Sequence, residues 1–225
     1  MRSVRLAAIT IAVLGFAERA SADFITNAGD VGEPSKTIAF TTDFFGGTGP
    51  VQIGAAVGEN ITWSSTDSFS VVNHSGIYGL VANGDWHGFG ANGYTGLNTD
   101  IGEMTFRFLS GLVSQVGGFI NYAPGFGPDV LIKAYDINGA LLESYNVNML
   151  APISTPNGLN EGAFRGISRA TNDIAAFSVS NSYVVLDNLK FSRLEVEPAP
   201  LPPTAIPLGL GALVFAFFGR RLFAI

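Results

Sequence analysis

Residues 129–147, DVLIKAYDINGALLESYNV, read as two strands and the turn that joins them. Val130, Ile132 and Ala134 alternate with Leu131, Lys133 and Tyr135, the two-residue period that sends successive side chains to opposite faces of a sheet. The run breaks at Asp136-Ile137-Asn138-Gly139, where Asn138-Gly139 is suited to the positive φ angles of a tight hairpin. Residues 141–147 then return. The segment predicts an antiparallel hairpin.

A second unit, SNSYVVLDNLKFSRL, closes the body at residues 180–194. Tyr183, Val185, Asp187, Leu189 and Phe191 alternate with Val184, Leu186, Asn188 and Lys190, so both faces are partly apolar. Such a strand belongs inside a sheet, and there Asp187 needs a partner. Between and before these units lie further short β-rich runs at residues 37–40, 51–56, 61–63, 69–72, 77–81, 103–109, 116–122, 163–167 and 174–180. Gly, Asn and Pro clusters separate them, and no amphipathic helix of useful length interrupts. Strands at this spacing predict an all-β, antiparallel sandwich or barrel over residues 23–194.

Composition agrees with one domain plus extensions. The chain has 225 residues, 28 of them Gly and 11 Pro, and its charged residues amount to only 13%, with the apolar excess at the two ends. Residues 23–219 hold 7 basic and 17 acidic side chains, a net charge of −10. That balance argues against a nucleic-acid partner, which needs clustered Lys and Arg. Cysteine is absent, which excludes disulfides and thiolate chemistry, and the two histidines, His74 and His87, leave little for a zinc site.

The two ends read as addresses. Residues 1–22 carry Arg2 and Arg5, an apolar stretch over 6–16, and the small-residue site Ala20-Ser21-Ala22, the pattern of a signal peptide cleaved before Asp23. The apolar stretch is shorter than the roughly 20 residues that cross a bilayer. At the other end, EVEPAPLPPTAIPLGLGALVFAFFGRRLFAI runs through a proline cluster into an apolar segment at 203–218, then Arg220 and Arg221. Those arginines would stay on the cytoplasmic side and leave the body outside, making the segment a single transmembrane helix.

This tail resembles the PEP-CTERM sorting signal of Gram-negative bacteria. The matching positions are Glu197 and Pro198 for the motif, residues 206–218 for the helix, and Arg220 and Arg221 for the basic end. Val196 stands where the pattern has its first proline. Pro200, Leu201 and Pro202 also match a variant motif of the Val-Pro-Leu-Pro-Ala type. The resemblance implies an inner-membrane-anchored precursor recognised by an exosortase-type enzyme, then a place at the cell surface or in an exopolysaccharide matrix. The hairpin and closing strand, for their part, resemble the jelly-roll-like β-sandwich bodies often found on such proteins. The resulting division is a signal peptide at 1–22, a β-sandwich at 23–194 and a sorting tail at 195–225.

Candidate chemistry in the body is sparse. A catalytic triad of His87, Asp85 and a serine has no supporting nucleophile motif. In NGDWHGFGANGYTG, residues 83–96, the aromatics Trp86, Phe89 and Tyr94 sit among glycines and amides beside Asp85. Flat rings next to carboxylate and amide groups make a carbohydrate-binding loop, while a plug of buried aromatics is the structural alternative. Oxygen ligands for a structural calcium are available at Asp136, Asn138 and Asp187, or at Asp85 and Asp100, although residues 136–147 lack the later acid of an EF-hand loop. The sequence reading is an exported, non-enzymatic surface or matrix protein without a required cofactor. A lectin-like module using the Trp86 loop is the alternative.

Overall fold

In the computed structural model, which describes residues 22–88, 92–156 and 158–195, the segment 129–147 folds as a hairpin with a different turn from the one expected. Of the Asn-Gly pair only Gly139 takes a positive φ, 80°. Gly139 N–H donates to the Asp136 carbonyl at 3.1 Å, and Asp136 N–H to the Ala140 carbonyl at 2.9 Å. The loop is thus a three-residue connection closed by a left-handed glycine. Asp136 Oδ1 holds it by accepting from the backbone N–H of Ala140 at 2.7 Å and of Asn138 at 2.9 Å. These donors keep the Asp136 carboxyl below its usual range.

The chain order is β1 (Ala22–Ile25), β2 (Ser35–Ile38), β3 (Phe45–Gly46), β4 (Val51–Gln52), β5 (Ile61–Ser65), β6 (Val71–His74), β7 (Tyr78–Gly79), β8 (Asp85–Trp86) and β9 (Tyr94–Gly96). It continues with β10 (Glu103–Phe108), β11 (Gln115–Asn121), β12 (Leu131–Tyr135), β13 (Leu141–Asn146) and one helical turn, α1 (Val147–Leu150). Strands β14 (Leu159–Asn160), β15 (Ala163–Arg169), β16 (Ala176–Ser180) and β17 (Val185–Ser192) complete it. An eight-stranded sheet has the order β1-β15-β11-β17-β9-β6-β3, with β2 also paired to β17. A six-stranded sheet has the order β13-β12-β16-β10-β5-β4, and a small third sheet is β14-β8-β7. Both large sheets are antiparallel throughout, so the body is all-β.

The core lies between the large sheets and follows from alternation. On β10 Met104, Phe106 and Phe108 are buried, while Glu103, Thr105 and Arg107 face away from the core. Phe106 stacks on Phe177 of β16 with ring centroids 6.2 Å apart, and Phe108 meets Phe191 of the opposite sheet at 5.2 Å. The other face of the eight-stranded sheet is covered as well. Trp86 of the small sheet packs there with Leu80, Tyr94 and Val185, and Ile25, Val31 and Phe164 form a further cluster. This double cover is why β17 is apolar on both faces.

The structure contains strands that the hydrophobic runs did not announce, namely β1, β3, β8, β9 and β14. Four of these have three residues or fewer, too short for a period to show, and β1 continues directly from the predicted signal peptide. The expected strand at 51–56 shrinks to Val51–Gln52, because Ala55–Val57 turn into a 3-10 helix that ends on the left-handed Gly58. Among the described residues no helix is long and apolar enough to cross a membrane. The predicted span at 203–218 lies outside the described residues, as do the tail motif, Arg220, Arg221 and Ala20. Ala22 and Asp23, on either side of the predicted cleavage, pair with Arg169 and Ser168.

Candidate functional site

The aromatic loop expected to bind sugars is built inward. Trp86 and Tyr94 are both fully buried. Trp86 sits on β8, between β7 and β14, and its ring lies against Gly162, whose φ of 74° and lack of a side chain admit the close approach. Tyr94 is flanked by His74 at 5.2 Å and Tyr78 at 6.2 Å between ring centroids. A ring sunk in the interior offers no face to a sugar, so the stacking platform on Trp86 and Tyr94 is replaced by a buried plug. The physical reason is the free energy of removing large rings from water, about 25 cal/mol per Å². Asp85 is exposed, and Phe89 lies outside the described residues. Among the described residues the Trp86 Nε1 and the Tyr94 hydroxyl have no hydrogen-bond partner, and burial pushes the Tyr94 phenol up.

The histidines lie in separate local settings. His74 Nδ1 accepts from the backbone N–H of Gly76 at 2.8 Å, and its ring meets Phe44 at 5.5 Å. Among the described residues neither His74 nor His87 hydrogen-bonds a serine or a carboxylate. The Asp136-Asn138 turn and Asp187 lie on different sheets and do not converge on one calcium site. Asp136 is committed to its own turn, Asp187 lies buried on the opposite sheet, and among the described residues no group of three His, Asp or Glu side chains could hold a metal ion.

Two polar centres escaped the sequence reading. One is structural: the buried Asn83 donates toward Asn121 Oδ1 at 2.9 Å and the carbonyls of Tyr122 at 3.0 Å and Ile153 at 3.1 Å. Its Oδ1 accepts from Thr155 N–H at 3.2 Å, so this one amide ties the small sheet to β11 and to the segment after α1.

The other centre faces away from the core on the six-stranded sheet. Glu103 Oε1 accepts from Lys133 Nζ at 3.3 Å, from the Tyr135 hydroxyl at 3.0 Å and from the Ser178 hydroxyl. These four residues come from β10, β12 and β16, which are adjacent in the sheet and distant in sequence. A cavity of about 220 Å³ opens beside them, lined by Glu103, Thr105, Arg107, Tyr135, Gly139 and Ala176. Burial raises the Tyr135 phenol above its usual range, and the neighbouring Glu103 carboxylate adds to the effect. The alternation of Glu103, Thr105 and Arg107 is visible in the sequence. The strand that aligns them with Lys133 and Tyr135 is not.

Comparison with protein-family models, with curated proteins and with solved structures found no match for this chain.

Proposed function

We propose that the protein is an exported, non-enzymatic component of the cell surface or extracellular matrix, delivered by its signal peptide and sorted through its tail by an exosortase-type enzyme. The observation that carries this reading is the order of the terminal signals around an all-β body. Arginines, an apolar stretch and Ala20-Ser21-Ala22 stand at the front, and Glu197-Pro198, an apolar run and Arg220-Arg221 at the back. The finer view of the body as a jelly-roll-like sandwich, associated with exopolysaccharide, rests on the same resemblance. Arg193 donates to both oxygens of Glu59, and Leu194 N–H donates to Asn172 Oδ1 at 2.8 Å, so the last strand is anchored just before the proline-rich segment begins.

The test is intact-mass analysis of the exported protein in a host with its sorting enzyme and in a strain lacking it. The expected result is a species that starts at Asp23 and lacks the residues from about 206 onward, while the enzyme-less strain retains the full tail in its inner membrane. Replacing Glu197 and Pro198 with alanine mimics the enzyme deletion where the Glu-Pro motif is the one read, and replacing Pro200 and Pro202 does so where the variant motif is. Identical tail-retaining protein in both strains would reduce the segment to an ordinary anchor.

A further inference from the structure

We propose that the outward face of the six-stranded sheet carries a binding trough for an acidic saccharide, a chain bearing both hydroxyls and carboxylates. The proposal goes beyond the sorting reading and does not depend on the fate of the tail.

The trough follows from strand register. β16 lies between β10 and β12, and its outward side chains, Ala176, Ser178 and Ser180, are all small. On one side they face Arg107, Thr105 and Glu103, and on the other Tyr135, Lys133 and Leu131. Three short side chains between two rows of longer ones make a furrow along the strand. The floor residues are accordingly buried although they point away from the core. Gly139 of the hairpin loop stands at the end of the 220 Å³ cavity near Arg107 and Tyr135.

The chemistry of the walls selects the occupant. Seven basic residues lie between positions 23 and 194, and six are engaged. Lys36 and Arg193 hold Glu59, Lys133 holds Glu103, and Arg169 holds Asp173 and Glu143. Arg165 donates to the carbonyls of Ala151 and Phe164, and Lys190 to that of Ala28. Arg107 has no acceptor among the described residues, and it lines this cavity. Its planar fork of donors matches a carboxylate in two-point geometry. Further along the same wall of the furrow, Glu103 uses only Oε1 for its three internal bonds, which leaves Oε2 to accept from a hydroxyl. The Thr105 hydroxyl is likewise open, and the Tyr135 ring supplies an apolar wall.

A simple inorganic anion would satisfy Arg107 and leave Glu103 facing negative charge. A neutral glycan would serve Glu103 and leave the guanidinium without a matching anion. An acidic saccharide serves both. Arg107 and Lys133 against Glu103 make the site locally positive although residues 23–194 carry a net charge of −8, and the nearby Asp136 carboxylate is turned to its own loop backbone.

The experiment is calorimetric titration of the purified full-length chain with hexagalacturonate, cellohexaose and hexaglutamate. Hexagalacturonate is expected to bind, more weakly as salt rises, and cellohexaose to bind at least about tenfold less well. Arg107→Gln, a change at an exposed side chain, should weaken hexagalacturonate about tenfold and flatten its salt dependence, with an unchanged circular dichroism spectrum. Thr105→Val, which keeps the shape of the wall, should weaken it by a smaller factor. The proposal is overturned if hexagalacturonate does not bind, if Arg107→Gln binds it as tightly as the parent, or if cellohexaose binds equally well. Equal or tighter binding of hexaglutamate would also overturn it and make the furrow a surface for acidic peptides. Processing of the tail is read by a separate assay, so either idea can fail alone.

Discussion

Replacing Glu59 with glutamine should remove a pH-dependent part of the protein's stability. The Glu59 side chain is 5% exposed and accepts from Arg193 Nη1 at 2.8 Å, Arg193 Nη2 at 3.0 Å and Lys36 Nζ at 2.5 Å. The bond from Arg193 is the largest influence, and with Lys36 it outweighs desolvation to hold the carboxyl at about 2, against an ordinary value of 4.5. At roughly 1.4 kcal/mol for each pH unit of separation, this carboxylate contributes about 3 kcal/mol at neutral pH. Because the folded value lies below the unfolded one, the contribution is fully present above pH 4.5 and is lost as pH falls toward 2. Urea denaturation followed by the fluorescence of the buried Trp63 and Trp86 reads it directly. The parent should exceed Glu59→Gln by about 3 kcal/mol at pH 7, and the gap should close as the pH approaches 2. Other carboxyls, including those of Asp136 and Glu33, titrate in both proteins and cancel in the difference. Parallel curves for the two proteins from pH 7 to pH 2 would refute the reasoning.

Asn83→Ala should cost about 2–3 kcal/mol in the same assay, since it leaves the carbonyls of Tyr122 and Ile153 without this donor in a buried setting. Tyr94→Phe should be neutral or stabilising by up to about 1 kcal/mol, because the hydroxyl it removes is buried with no partner among the described residues; a loss of more than that would show the hydroxyl to be satisfied. Gly162→Ala should destabilise by about 2 kcal/mol or more and change the environment of Trp86, since a β-carbon at φ 74° would meet the Ile120 carbonyl and the indole ring. Amino-terminal sequencing of exported protein should begin at Asp23, and recovery of Met1 would contradict cleavage after Ala22.

How much could be read in advance depends on the range of the interaction concerned. The hairpin at 129–147 was legible because alternation and turn chemistry are local, yet even there the turn type was decided by Asp136, whose carboxylate fixes a loop with a single left-handed residue. In β17 the alternation predicted that Leu186 and Leu189 face opposite ways, and both lie in the main core. A shift of register against β11 falls between Lys190 and Asp187, with Asn188 left-handed at φ 49°, and that bulge reverses the phase of the strand. Trp86 and Tyr94 could not be placed from the sequence for a related reason. Spacing shows that Trp86 and Tyr94 lie close in sequence, but whether a ring meets water depends on what covers it, and here the small sheet folds over the outer face of the large one.

The sequence by itself determined the all-β class, the central hairpin, the acidic body without cysteine and the pattern of the two terminal signals, since composition, two-residue periodicity and order along the chain need no tertiary contact. Only the tertiary structure decided which polar residues meet. Glu103, Arg107, Lys133, Tyr135 and Ser178 become neighbours because β16, late in the chain, inserts between β10 and β12. Strand pairing over such separations is fixed by the fit of the whole core rather than by any local signal.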